Sequence, residues 1–250
     1  MIKHTQNNKL MKLFSVFILL QVFSINYVNS QSFGYFSGGY NRAYTNLKNL
    51  NYVIDRYNET RTWLSSKMEN ITYLDGISFN SGGGGKKSFF DMSWSNRSVI
   101  KIAQGDNGSG MGERELKLRM NSFSFSEGFM IGGIDGFLPI YFGISMDLCQ
   151  LKVFTRSASL GELKNEEYIV AYKKFLPATS FFLQHIITAR AKKGGIGLLL
   201  KPYVQIPWYS VDFLNVNSTI NPNTYLNDAP ELKDWPINYG FVVNLAFWGR

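Results

Sequence analysis

The hydrophobic period of the chain changes near residue 70. Between Tyr40 and Asp75 there is neither Gly nor Pro, and apolar side chains recur as Tyr40, Tyr44, Leu47, Leu50, Ile54, Tyr57, Leu64 and Met68. Steps of three and four are those of one helical face. They predict an amphipathic helix over about 41–67, with Asp55, Arg56, Glu59 and Lys67 mostly off the stripe. After Asn70 the period falls to two. Phe90, Met92, Trp94, Ile100 and Ile102 alternate with Asp91, Ser93, Ser95, Arg97 and Lys101, and Leu138 to Leu148 and Ile196 to Trp208 alternate in the same way. Such runs are longer than the five or six residues usual for a soluble strand. They suit a membrane strand with one face in lipid and one in a polar lumen. In Glu115–Phe125 the apolar set passes from Leu116, Leu118 and Met120 to Phe123 and Phe125, which predicts a bulge.

Eight strands are predicted, over about 71–80, 87–103, 114–131, 137–156, 166–176, 179–191, 195–211 and 237–249. The fold class is therefore all-β: a transmembrane up-and-down antiparallel β-barrel of about eight strands, preceded by the amphipathic helix. Ten to twelve strands is the alternative, and there the helix would plug the lumen. The division is a leader over 1–30, a periplasmic segment with the helix over 31–69, and the barrel over 70–250. If the first strand runs outward, the long connection Asp212–Pro236 and the glycine tract Ser81–Gly85 lie outside, and the chain end returns to the periplasm. Unpaired backbone groups are costly in hydrocarbon, so the sheet must close. Asp91, Arg97, Lys101, Asp147 and Lys201, with Glu115, Lys117, Arg119 and Arg190, are expected to fill the lumen with paired charge.

The first residues read as an export signal. Lys3, Lys9 and Lys12 precede the apolar run Leu13–Phe23, and small residues before Gln31 fit a cut after Ser30. Eleven apolar residues are too few for a spanning helix, which needs about 20. A mature start at Gln31-Ser32 resembles secreted and outer-membrane proteins of the Bacteroidota. The last strand resembles the terminal targeting strand of outer-membrane barrels: Asn238, then Gly240, then Val243, Leu245 and Phe247, which with Tyr239 and Phe241 form one lipid-directed face. The resemblance is to small outer-membrane β-barrels as a class. It implies contact with outer-membrane lipid and with the barrel assembly machinery during biogenesis.

Composition narrows the chemistry. Without the leader lysines, 23 basic residues face 18 acidic ones, a net charge near +5 with no basic run of the kind nucleic acid requires. A single cysteine, Cys149, excludes an intrachain disulfide and a cysteine-based zinc site. No metal or cofactor is expected. Past the leader, His185 is the only histidine, and it falls on the apolar face of its strand. A lipid-modifying enzyme using His185 with Ser180 as nucleophile is one alternative, and a narrow pore or small-solute transporter is another. The tract Ser81–Lys87 lacks the spacing of a phosphate loop. The leading expectation is a non-enzymatic barrel, a structural or assembly scaffold of the envelope. Its specific contact is another envelope protein met through 41–67, with Tyr40, Tyr44, Leu47, Leu50, Ile54, Tyr57 and Leu64 as the interacting stripe. A cap packed on the barrel's own rim is the alternative for that helix.

Overall fold

The computed structural model describes residues 33–85, 87–132, 139–188, 194–222 and 231–249. The leader with its cut, Lys86 and Arg190 lie outside these residues. The strands are β1 (Phe33–Thr45), β2 (Leu64–Ser66), β3 (Tyr73–Gly84), β4 (Ser88–Asp106), β5 (Met111–Gly132), β6 (Ile140–Ser159), β7 (Ile169–Thr188), β8 (Gly194–Pro207), β9 (Val211–Asp212), β10 (Lys233–Asp234) and β11 (Asn238–Gly249). Two helices, α1 (Lys48–Glu59) and α2 (Leu214–Ile220), complete the architecture. No helix among the described residues is long and apolar enough to cross a membrane.

Eight strands close a ring in the order β1, β3, β4, β5, β6, β7, β8, β11, with every pairing antiparallel. The registers fix its stagger. Cross-strand partners run from Gly249 through Gly34, Gly83, Phe90, Glu127, Ile144, Phe181 and Val204 to Tyr239, ten residues from the start on the same strand. For eight strands about 4.8 Å apart, rising about 3.3 Å per residue, that stagger tilts each strand about 40° from the barrel axis.

The wall is uneven. β4 to β7 have 19, 22, 20 and 20 residues, while β1, β3, β8 and β11 have 13, 12, 14 and 12. β4 loses its β3 partner beyond Ser98, and β7 has none on β8 before Ala178. A four-strand collar thus rises past the rim opposite the two chain ends. Both helices pack inside this far rim. Leu47, Leu50, Val53, Ile54 and Tyr57 share one core with Leu116, Leu118 and Met120 of β5, Leu151 and Val153 of β6, and Phe213, Val216 and Ile220.

Local contacts fix α1. Asp234 accepts the Asn49 and Leu50 backbone N–H groups at 3.0–3.1 Å, closing the helix N-terminus from a distant loop. Asn51 and Asn58, two turns apart, each make a paired bond with the returning chain, at Ile71 and Met68 respectively, at 2.8–3.0 Å.

Several expectations change. The helix covers 48–59, not 41–67. Tyr40 and Tyr44 belong to β1, the first barrel strand, inside the span expected to precede the barrel. A spacing of four belongs to a helical face and to alternate positions of a strand, so these tyrosines fit both periods. The two segments expected at 166–176 and 179–191 are one strand, β7. Pro177 faces the β8 side where pairing is ending: its carbonyl accepts Trp208 N–H at 3.0 Å, so its missing N–H costs no ladder bond. One strand gained and one lost keep the count at eight, but Ser81–Gly84, expected as an outside loop, are the last residues of β3, paired with β1 and β4 at the rim that holds Phe33 and Gly249. The helix moves to the other rim, beside the long connection after β8. β5 is regular from Met111 to Met130, without the expected bulge. Its even residues face inward throughout, and only the surroundings change along it.

Candidate functional site

The barrel interior is filled in three tiers. Near the chain ends Phe33, Phe89, Tyr141, Phe182, Ile186 and Trp248 form an apolar plug, with Phe89 and Tyr141 ring centres 4.8 Å apart. The far mouth is sealed by α1, α2 and the collar. Between them lies a polar network built from inward positions of the strands.

That network has three centres, two of them linked. Asp91 accepts from Tyr35 Oη at 2.6 Å, from Asn80 Nδ2 at 3.2 Å and from Lys201 Nζ at 3.2 Å. Asp147 accepts from Gln205 Nε2 at 2.7 Å, from Ser145 at 2.8 Å and from Ser180. Arg97, only 1% exposed, donates to Tyr203 Oη at 2.6 Å and to Gln205 Oε1 at 3.3 Å. Gln205 therefore joins Arg97 to Asp147, and its carbonyl also accepts from Asn238 at 3.2 Å. Buried charges of opposite sign joined by hydrogen bonds offset their own desolvation. A cavity of about 40 Å³ remains, lined by Asn41, Ser95, Arg97, Asp147, Tyr203 and Gln205, among others. That is room for about one water.

The structure brings together four of the five lumen charges, Asp91, Arg97, Asp147 and Lys201. Lys101 stands apart at the far mouth, where it pairs with Glu69 at 2.6 Å and holds that carboxyl below its usual range. Glu115, Lys117 and Arg119 do not enter the lumen. They occupy the outer face of the collar, because the inward positions of β5 at that height are the apolar Leu116, Leu118 and Met120. The neutral members Gln184, Tyr203 and Gln205 stand at polar alternating positions but were not among the expected site residues, which were chosen by charge, and Tyr35 lies on the unexpected β1. For Gln184, Tyr203 and Gln205 the alternation with outward apolar residues along β7 and β8 was the available signal.

The interaction stripe divides as well. Leu47, Leu50, Ile54 and Tyr57 are at most 2% exposed against the barrel's own wall, so the rim-cap alternative describes α1. Leu64 lies on β2, beside β4. Tyr40 and Tyr44 face outward on β1 near Arg42, which forms a two-point ion pair with Asp75 at 2.7 and 3.0 Å. Tyr40 also donates to Asp75, and Tyr44 stacks on Tyr239 at 5.4 Å. In the terminal strand Val243, Leu245 and Phe247 face outward, with Tyr239 and Phe241. Asn238 faces inward, as does Gly240, where a Cβ would meet Arg42 O at 2.1 Å.

Ser180 and His185 lie on opposite faces of β7. Ser180 points inward to Asp147, whereas His185 shares the outer face with Leu183 and Ile187 and is level with Leu200. That pair forms no dyad. Cys149 is buried in the interior. Among the described residues no group of three or more His, Cys, Asp or Glu converges as a metal site.

A cleft of about 370 Å³ opens at the far rim between Tyr57, Arg61, Trp63, Arg114 and Ser157. Arg61 stacks on Tyr57 at 3.9 Å and donates to Ile220 O at 2.8 Å and to Asn221 at 3.1 Å, tying α1 to α2. Burial pushes the Tyr57 hydroxyl up and the Arg61 guanidinium down from their ordinary values.

No family model matches the chain, and no curated protein does. Two solved structures of Ail, the attachment invasion locus protein of Yersinia pestis, are similar to it. One, in complex with the heparin analogue sucrose octasulfate, is 9% identical, with a TM-score of 0.43 over 88% of this chain and 99% of that one. The other is 10% identical, with a TM-score of 0.40 over the same shares. The eight-stranded barrel itself rests on the chain's own hydrogen-bonded registers.

Proposed function

We propose that the chain is an exported outer-membrane β-barrel, processed after Ser30, that acts as a closed structural or scaffold component of a bacterial envelope. One observation carries the reading: at mid-height the barrel is inverted relative to a water-soluble protein. Its outer face exposes Phe36, Phe79, Met92, Phe123, Ile144, Phe181, Leu198, Leu245 and Phe247, while Asp91, Arg97, Asp147 and Lys201 are inside. Glu127, between Phe125 and Phe129, interrupts this apolar surface on β5. Monomeric soluble proteins rarely expose a continuous apolar patch beyond a few hundred Å². Acyl chains are the solvent that suits such a belt.

The filled bore supports a closed barrel over a pore, and the opposed directions of Ser180 and His185 weigh against that enzyme pair. With the chain ends in the periplasm, the collar, both helices and the long connection stand outside the cell. The α1 stripe is spent on the barrel's own wall, so a partner at this cap would meet its polar face around Asp55 and Glu59.

Fractionation tests the localisation. The processed chain is expected in the outer membrane, resistant to carbonate and running faster unboiled than boiled. Recovery from the soluble periplasm, folded without detergent, would overturn the reading. For the scaffold role, substituting Asp55→Ala and Glu59→Ala is expected to change the proteins crosslinked to the cap in intact cells. An unchanged set would remove it.

A further inference from the structure

The collar's outer face carries a row of cations that the protein itself does not neutralise. Arg119, Lys152 and Lys173 are direct cross-strand partners on β5, β6 and β7. Arg119 lies between the buried Leu118 and Met120, Lys152 between the buried Leu151 and Val153, and Lys173 shares a face with the exposed Phe175, so all three point outward. Directly opposed side chains on neighbouring strands stand about 5 Å apart, and like charges there repel. Lys117, one outward position beyond Arg119, adds a fourth cation, 5.2 Å from the Tyr168 ring.

Nearby acids are engaged elsewhere. Glu115 pairs with Arg156 at 2.7 Å and accepts from Tyr168, and Glu113 accepts the Gly161 and Leu163 backbone N–H groups at 3.0 and 3.2 Å. Among the described residues no carboxylate lies within ion-pair distance of Arg119, Lys152 or Lys173. Asn96 and Asn121 each accept from Arg119 Nε at 3.2 Å. That anchors the guanidinium while its two terminal nitrogens, with no such partner, remain for a forked contact with an oxyanion.

Depth identifies the occupant. Descending the outer face along each strand, the row Ser98, Arg119, Lys152, Lys173 is followed by Asn96, Asn121, Gln150 and Phe175, then by Trp94, Phe123, Leu148 and Pro177. On β5 and β6 one amide separates the cation from the apolar belt, on β7 Phe175 follows Lys173 directly, and Ile100 on β4 is also exposed, so the cations stand at the far-rim margin of the belt, at headgroup level. We propose that Arg119, Lys152 and Lys173 bind the phosphates of an outer-leaflet glycolipid whose headgroup carries two or more of them. The proposal rests on the membrane-spanning reading above. Three cations over two strand spacings, roughly 10 Å, match two phosphate groups better than one.

The test uses the full mature chain inserted in neutral phosphatidylcholine vesicles, with insertion scored by the unboiled gel shift. Binding of bisphosphorylated lipid A and of a dephosphorylated counterpart is then measured on the detergent-solubilised protein. Substituting Arg119→Gln, Lys152→Gln and Lys173→Gln together is expected to weaken the phosphorylated lipid by about tenfold and leave the dephosphorylated one unchanged. Lys152→Gln alone should give a smaller loss in the same direction. A control with Lys48→Gln, Lys164→Gln and Lys233→Gln, equal in charge change, should bind as wild type. Equal loss in control and row variants, or no preference of the wild type for phosphate, overturns the site while the inserted barrel stands. Failure of the wild type to insert overturns both.

Discussion

The carboxylate of Asp234 sits on the backbone N–H of Asn49, at 3.0 and 3.1 Å, and so joins the long connection after β8 to the helix that follows β1. Two loops 185 residues apart in sequence become one lid through a single side chain. Losing such a cap costs about 0.5–2 kcal/mol. Asp234→Ala is expected to speed hydrogen exchange across Lys48–Glu59 while the barrel strands keep their protection. Unchanged exchange in the helix would show that the cap is held by its apolar face alone.

The interior ion pair is expected to behave as a buried pair. Asp91 is fully buried, and Lys201 Nζ stands 3.2 Å from it and 4.1 Å from the Phe182 ring centre. Lys201→Met strands a carboxylate, at an expected cost of roughly 3–5 kcal/mol in urea unfolding from bilayers. Adding Asp91→Asn should recover most of that loss, because the stranded charge and not the missing bond dominates it. No recovery in the double variant would contradict this.

Gly76 lies where the β3 backbone runs close against β4. A Cβ there would meet Asn96 O at 1.7 Å, which is backbone and does not yield. Gly76→Val is expected to lose roughly 1–3 kcal/mol, as overpacking does. The readout is a lower temperature for loss of the unboiled gel shift. Gly108→Val, in open space at the β4–β5 turn, carries a different cost, from its φ of 89°.

Burial, and then donation to Glu115, push the Tyr168 hydroxyl from 10.0 to about 12. A raised folded-state value means that this contribution is complete below about pH 10 and is lost as pH climbs towards 12. Wild type minus Tyr168→Phe stability should therefore be flat up to about pH 10 and fall beyond it. A flat difference through pH 12 would show that Tyr168 ionises freely.

The alternating strands were legible because an exposed apolar outer face and a packed polar interior impose a strict period of two. The interior charges Asp91, Arg97, Asp147 and Lys201 were legible for the same reason. β1 was not, since its inward side after Tyr35 is small or polar (Ser37, Gly39, Asn41, Ala43) and its outward tyrosines are four apart, a step that helix and strand share. The collar misled for a related reason. Towards the far rim the interior turns apolar against α1 while β5, β6 and β7 carry charge outside, so Leu118 and Arg119 reverse the rule that holds at Phe123 and Ser122. Rim assignment failed with β1, because adding one strand at the start inverts every connection until Pro177 is read as part of a single β7.

The most direct test asks whether the outer belt touches acyl chains while the bore does not. Trp94 faces outward, stacked 5.9 Å from Phe79, and Trp248 is buried inside. Variants keeping only one of these tryptophans, the others replaced by Phe, are inserted in vesicles whose phospholipid tails carry bromine. Strong quenching of Trp94 fluorescence with little change at Trp248 is the expected result. Equal quenching at both positions, or a folded chain that stays in solution without lipid or detergent, would contradict it.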